Sequence, residues 1–377
     1  MTLTWSAISA RRLDRNGLGP TPGSDPASVV AAMCGAHAQV LSAGEHSIGL
    51  RLPGSVRAEV RSAIWDERAL VKTHGPRGTV HLLPSAELPM WIGALAGIPD
   101  GRVNAGLAPG QVDEIVAAVG RVLADTELTI DELDAAVVAE TGPWAGDLVM
   151  PGFNTMWPRW RQALSVAGAR GALCFGPNRG RKVTYTDPHR WLPGFTPMPA
   201  AHAHAELLAR YLHAYGPATP QHFARWIGAK ARWAAELFTT LASRIEAVEL
   251  DGETMWVNAG DTDFADTAPE GVRLLPYFDA YGIACQPRER LFPGRAFERA
   301  LARGQAGNFP ILLIDGAVAG VWHQKRSGRK AAVTVEALGE LTARQVKGVE
   351  EQVERNAEFH GGTATLTFGE INVGGHA

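Results

Sequence analysis

Apolar and polar positions along this chain follow two rhythms, and the rhythms alternate. In "HAELLARYLHAYGPATPQHFARWIG", Leu207, Leu208, Tyr211, Leu212 and Tyr215 recur at the spacing of one helical face. Gly216 and Pro217 stop that helix, and Thr219-Pro220 predicts the cap and first turn of the next. "AVELDGETMWV" then switches to a period of two around Asp251-Gly252, a strong short hairpin signal. The same order recurs twice. "TELTIDELDAAVVAETG" opens on the Thr129 and Glu132 capping box and continues as a helix. "NTMWPRWRQALSVAG" predicts a Trp-rich helix interrupted or begun at Pro158, and "GALCFGPNRGRKVTYTD" predicts strand, basic turn, strand. Near the start, Asp25-Pro26 caps the helix of "DPASVVAAMCGAHAQ", and "ALVKTHGPRGTVHLLP" predicts another hairpin.

Helices followed by a β-hairpin are the plan of a winged helix-turn-helix, whose second helix enters a DNA groove while the hairpin touches backbone. The last third differs. "RLLPYF", "FPILLIDGAVAGVWHQK" and "KAAVTVEAL" predict strands, with hairpins at Asp315-Gly316 and at "KRSGRK"; a helix, "TARQVKGVEEQVERNAEFHG", and a short strand, "TATLTFG", follow. This predicts a small barrel or antiparallel sheet with one helix. The expected fold is therefore α+β: three tandem winged helix-turn-helix domains (1–120, 121–198 and 199–264) and a C-terminal β-barrel (265–377).

Composition narrows the class. With 377 residues, 46% of them hydrophobic and 20% charged, the chain has the make-up of a soluble globular protein of several domains. The N-terminus lacks a signal-peptide core and no apolar run is long enough for a membrane span, so no membrane partner and a cytoplasmic location are expected. Cys34, Cys174 and Cys285 stand too far apart for a zinc ribbon or disulfide framework. The net charge of −3 argues against nucleic acid, but its distribution argues for it. Seven basic residues and one acid, Asp187, lie between Arg159 and Arg190, and four more bases fill "KRSGRK".

The candidate chemistry sits in "GAHAQ". His37 and Gln39 are two residues apart, which on a helix would point them about 160° from one another. On an extended backbone they point the same way. Gly35 is a natural place for the preceding helix to end.

"TWSAISARRLDRNGL", "RGTVHLLP", "RGALCFGPNRGRKVTY", "YLHAYGPATPQHFARWIG", "RLLPYFDAY" and "DGAVAGVW" resemble, in order, blocks of the bacterial winged-helix DNA glycosylases of the AlkZ and YcaQ type. The likeness runs over about residues 3–370. It implies a C-shaped channel for duplex DNA, a barrel hairpin at the minor groove, and hydrolysis of the N-glycosidic bond of N-alkylated purines. The AlkZ branch is associated with self-resistance to DNA-alkylating natural products, cross-linkers included. The family's catalytic motif is glutamine, an apolar residue, then glutamine, with aspartate last in the YcaQ branch. Here it falls on His37, Ala38 and Gln39, so the final amide is kept and the first has become histidine.

The expected enzyme is a monomeric, monofunctional glycosylase without cofactor or metal, acting on duplex DNA that carries an alkylated purine. N7-alkylguanine is cationic, so its bond to the sugar is already weakened and a pair of carboxylates is dispensable. Gln39 is expected to orient a water and His37 to take its proton. Arg77, Arg179, Arg181, Lys182, Lys325, Arg326, Arg329 and Lys330 are the expected DNA contacts. Arg77 and His81, in "RGTVHLLP", either contribute to the catalytic channel or hold the first wing. Glu45 and His46 either assist the motif or are solvated. A rival reading stays open: a winged-helix regulator or drug-binding resistance protein that has lost catalysis. The particular alkylating compound, any unhooking of cross-links, and the consequence of histidine for glutamine are not fixed by these residues.

Overall fold

The computed structural model describes residues 2–21, 23–99, 106–152, 155–265 and 267–374, and they form a mixed α+β fold. Three small sheets share one arrangement. In the first, the two-residue strand Ala36–His37 pairs antiparallel with Val80–Pro84, the second strand of a hairpin begun by Leu70–His74. In the second, Glu127–Thr129 pairs antiparallel with Lys182–Thr186, the second strand after Cys174–Arg179. In the third, the single residue Ala218 bridges antiparallel to Trp256 in Glu253–Asn258, which follows Ile245–Leu250. Each unit thus clips a short extended segment near its helices to the outgoing strand of its hairpin.

The helices begin where the chain's chemistry asks them to. Asp25 accepts from the Ala27 and Ser28 amides ahead of Pro26–Ala32, and Thr129 and Glu132 form the reciprocal capping box of Ile130–Thr141. Thr219 caps Pro220–Ile227. One expectation is corrected. Met156–Pro158 is a strand paired with Leu148–Pro151, and only Leu164–Ala169 of the Trp-rich stretch is α-helical, after a 3-10 turn at Arg159–Ala163. Pro158 ends a strand instead of starting the helix, and Asn154, the first residue of that expectation, lies outside the described residues.

The third unit holds the chain's first residues. Thr2–Leu3 adds parallel to Glu249–Leu250 on the outer side of the hairpin. The helix Trp5–Arg15 follows, and its buried Arg12 donates to the carbonyls of Gly216 (3.3 Å), Pro217 (2.9 Å) and Gln286 (2.6 Å).

The C-terminal strands make an open sheet of five, in the order Val272–Leu275, Ile311–Ile314, Ala317–Ser327, Lys330–Ala337, Thr363–Phe368. Among the described residues it does not close, which corrects the expected barrel. The reason is the last strand. It runs parallel to its neighbour, so the chain must cross over, and the helix Ala343–Phe359 makes that crossing over one face. Leu274, Leu312, Trp322, Val333 and Val335 pack beneath Val349 and Val353 of that helix. The alternate positions Leu275, Ile311, Leu313, Val318 and Val321 face the main core. With both faces covered, closure has nothing left to bury. No helix among the described residues is long and apolar enough to cross a membrane, and no cluster among them could hold a metal ion.

Candidate active site

The turn that delivers His37 is built for a sharp change of direction. After Pro26–Ala32 the backbone passes through Cys34 (φ 51°) and Gly35 (φ 95°) before extending into Ala36–His37. A side chain at Gly35 would also strike Leu83, 2.9 Å from its Cβ. The Ala38 amide donates to the Val80 carbonyl (2.8 Å), which prolongs the extended path past His37. Gln39 is exposed, and its Oε1 accepts from the Val80 amide at 3.3 Å. His37 and Gln39 therefore open onto one space, a cavity of about 640 Å³ whose walls include Arg77, Arg225, Trp226, Phe278 and Arg288.

His37 is buried and closely held. Its ring lies 4.1 Å from that of His81, the residue opposite it in the sheet, and stacks on Phe278 at 6.2 Å. Arg77 Nη2 donates to His37 Nε2 at 2.8 Å. Burial, with the nearby His81 and Arg77, lowers the imidazole pKa well below its ordinary value, so the ring is neutral at physiological pH. A guanidinium only donates, so Nε2 is the accepting nitrogen and the proton of the neutral ring sits on Nδ1. Among the described residues Nδ1 has no partner.

Arg77 reaches His37 through an unusual backbone. It sits at φ 58°, ψ 13° in the turn Pro76–Gly78, a left-handed conformation costing a non-glycine residue roughly 1–3 kcal/mol. Its Nη1 donates to the Trp226 carbonyl (2.5 Å) at the end of Pro220–Ile227. Gly228 (φ 83°) closes that helix, and a Cβ there would lie 2.9 Å from Arg77 Cα. Burial, then Arg288, lowers the Arg77 pKa to about 10, which leaves it charged.

The opposite wall is braced from below. Asp279, beside Phe278, is buried, and Arg51 grips both of its carboxylate oxygens at 2.8 and 2.9 Å while the Ser47 hydroxyl donates to one. Burial pushes this carboxyl up, but the charge and hydrogen bonds of Arg51 carry it below its ordinary value. Glu45 is fully buried and paired with Arg57 at 2.5 Å, and His46 is buried against Phe359, so neither is solvated and neither lines the cavity.

The AlkZ-like DNA glycosylase profile matches residues 30–359. The chain belongs to that family. It is 32% identical over 341 residues to the interstrand DNA cross-link repair glycosylase of Streptomyces sahachiroi, with 85% of this chain and 88% of the relative covered. The solved structure of the S. sahachiroi DNA glycosylase AlkZ matches with a TM-score of 0.82 at 27% identity, covering 98% of this chain and all of that one.

The other residues singled out in this AlkZ-like chain are scattered. Arg77 lies in the cavity wall. Arg179, Arg181 and Lys182 are exposed on the second hairpin, where Arg179 pairs with Glu132 (3.1 Å) and Lys182 with Asp131 (2.8 Å). Lys325, Arg329 and Lys330 are exposed at the tip between Ala317–Ser327 and Lys330–Ala337 of the five-stranded sheet, Arg326 is half-buried, and Arg329 Nε donates to the Gly361 carbonyl at 2.9 Å. Sequence reasoning did not assign the Arg51–Asp279 brace, Phe278, Arg225 or Arg288. "YFDAY" was a block of likeness, yet nothing local in it announces a partner at residue 51.

Proposed function

We propose that this chain is a monofunctional DNA glycosylase that hydrolyses the N-glycosidic bond of bulky or cross-linked N7-alkylguanine, and of other N-alkylpurines, in duplex DNA. The observation that carries the reading is the neutral, arginine-held His37 beside Gln39 on a cavity larger than water-positioning alone requires. The relatives' names as DNA glycosylases, one of them for interstrand cross-link repair, support it.

The alkylated guanine leaves with the electrons of the C1′–N9 bond and becomes neutral, so little leaving-group protonation is needed. What the protein supplies is a placed water and stabilisation of an oxocarbenium-like sugar. Gln39 Oε1 has a lone pair beyond the one the Val80 amide uses; it accepts from the water and presents partial negative charge to the sugar. His37 takes a different part from the one its residue type suggests. With the Nε2 lone pair held by Arg77, it offers Nδ1–H to the water oxygen, as an amide N–H would, and the water's proton departs to solvent. A histidine locked in this tautomer is thus a chemical stand-in for the family's first glutamine. Arg77 positions it, and no lysine lines the cavity among the described residues, so strand cleavage through an imine is not part of the reading.

The three units, each with a short strand clipped to the outgoing hairpin strand, support a division into tandem winged helices around a DNA channel. A monomer is sufficient for such a chain, and protection of a cytoplasmic chromosome against a self-made alkylating compound is the setting that fits. The test is a duplex carrying one defined N7-alkylguanine, incubated with the protein and then cleaved at abasic sites with alkali. Cleavage by the wild type that disappears in Gln39→Ala supports the reading. Tight duplex binding with no abasic product from several bulky adducts overturns it and favours a binding protein.

A further inference from the structure

A second polar cluster lies where the hairpin of Ala317–Ser327 and Lys330–Ala337 meets the helices Leu41–Gly49, Arg57–Trp65 and Ala343–Phe359. It is crowded with positive charge. Arg57 and Arg61 both reach the buried Glu45, at 2.5 and 3.4 Å, and Arg326 from the hairpin stands near enough to Arg57 for the two to repel. Glu45 already serves two guanidiniums, and Arg326 makes no ion pair among the described residues. Arg326 Nη1 is buried and has no hydrogen-bond partner among the described residues, and the same holds for His360 Nε2 and Asn356 Oδ1 beside it.

Buried polar atoms are nearly always satisfied, so several orphans in one place call for a missing partner. Asn356 already spends its amide nitrogen on Gln324 Oε1 (3.0 Å) and Arg329 is tied to Gly361, so the cluster is assembled before anything binds. Its histidine is uncharged, because burial and the two arginines lower the His360 pKa to about 4. A cation would be repelled. An anion rich in acceptors would satisfy Arg326 Nη1 and the N–H of a neutral His360, and would relieve the repulsion between the arginines.

We propose that Arg57 and Arg326 together hold one phosphodiester of the DNA backbone at this junction. The inference rests on the reading above that the chain binds duplex DNA, and it gives that binding a fixed register. The hairpin's half-buried arginine grips the backbone, and its exposed tip residues are left to explore the groove.

The test uses the full chain and an unmodified duplex, with affinity measured across a range of salt. Losing one phosphate contact lowers the slope of log affinity against log salt by about 0.9. Arg326→Gln should show that loss, Arg57→Gln the same, and the double variant no more than either alone, because a shared phosphate is lost only once. Single methylphosphonate linkages placed along the duplex should reveal one position that weakens the wild type but leaves Arg326→Gln unchanged. Since Arg57 also partners buried Glu45, Arg57→Gln/Glu45→Gln replaces the single variant if that one melts early. An unchanged slope in Arg326→Gln, or losses that add in the double variant, overturns the shared phosphate while leaving the glycosylase reading intact. A wild type without salt-dependent duplex binding overturns both.

Discussion

The hairpins of the first and second units share a topology, yet their basic residues serve opposite ends. In the first, Arg77 turns inward at a left-handed residue and spends its guanidinium on His37 and the Trp226 carbonyl. In the second, Arg179 and Lys182 stay outside and pair with Glu132 and Asp131 of the first turn of Ile130–Thr141. Burial makes the difference. A buried guanidinium commits to a geometry, whereas exposed pairs contribute little and dissolve in salt. Arg181, exposed and without an ion pair among the described residues, is the one cation of that turn free to meet a phosphate directly.

The comparison can be broken most sharply at Gln39. Because its side chain is exposed, Gln39→Ala should leave the melting temperature unchanged and reduce base excision by about 10²-fold or more, read by abasic-site cleavage. Arg77→Ala comes next, with a loss of roughly tenfold or more from a mispositioned imidazole. In the wild type, His37 is already neutral, so excision should be flat from pH 8 down through 6.5. Burial is the largest cause of the lowered His37 pKa and Arg77 the smallest of the three, so Arg77→Ala should lose rate at every pH while its profile stays flat. His37→Gln, which restores an amide donor, should keep activity and be indifferent to pH. An unchanged rate in Arg77→Ala would remove Arg77 from the site.

Stability sharpens the contrast on the buried side. His37 is lowered well below its ordinary value, and burial lowers His46 to about 3 and His222 and His360 to about 4. All four take up protons more readily when unfolded, at about 6.5. Their native environment is therefore tolerated in full above pH 6.5, and stability declines as pH falls from there towards the folded values. The fully buried His37 and His46 each contribute up to about 1.4 kcal/mol per pH unit, and the more exposed His222 and His360 less because solvent screens them, so thermal melting should drop between pH 6.5 and 4.5. The smallest effect belongs to the second hairpin. Arg179→Ala and Lys182→Ala should each leave the melting temperature unchanged, and Arg181→Ala should lower the salt slope of duplex binding more than either.

Much of the fold was legible because its signals are local. Asp251-Gly252 and Asp315-Gly316 make hairpins since both members of each pair take positive φ, which these residue types accept. The cap at Thr129 needs only a glutamate three residues on. The strand at Met156–Pro158 was not legible, because Met and Trp suit helix and strand alike and its partner is another short segment. The open sheet was misjudged for a related reason: five strands and a helix were visible, but where the helix crosses is a long-range choice. At the site, the spacing of His37 and Gln39 exposed the pair. The inward turn of Arg77 depends on Gly228, about 150 residues later, and the brace of Asp279 on Arg51, more than 200 residues earlier. No window of sequence contains those relations.

The clasp of Thr2–Leu3 onto Glu249–Leu250, with Arg12 reaching as far as Gln286, also sets a timetable. During synthesis the helix Trp5–Arg15 must wait about 200 further residues for Gly216 and Pro217, and longer still for Gln286. At about 5–20 residues per second that is a wait of roughly ten seconds to a minute. This helix is therefore made long before the residues that bury it, and it finds its place only when the third unit has been completed.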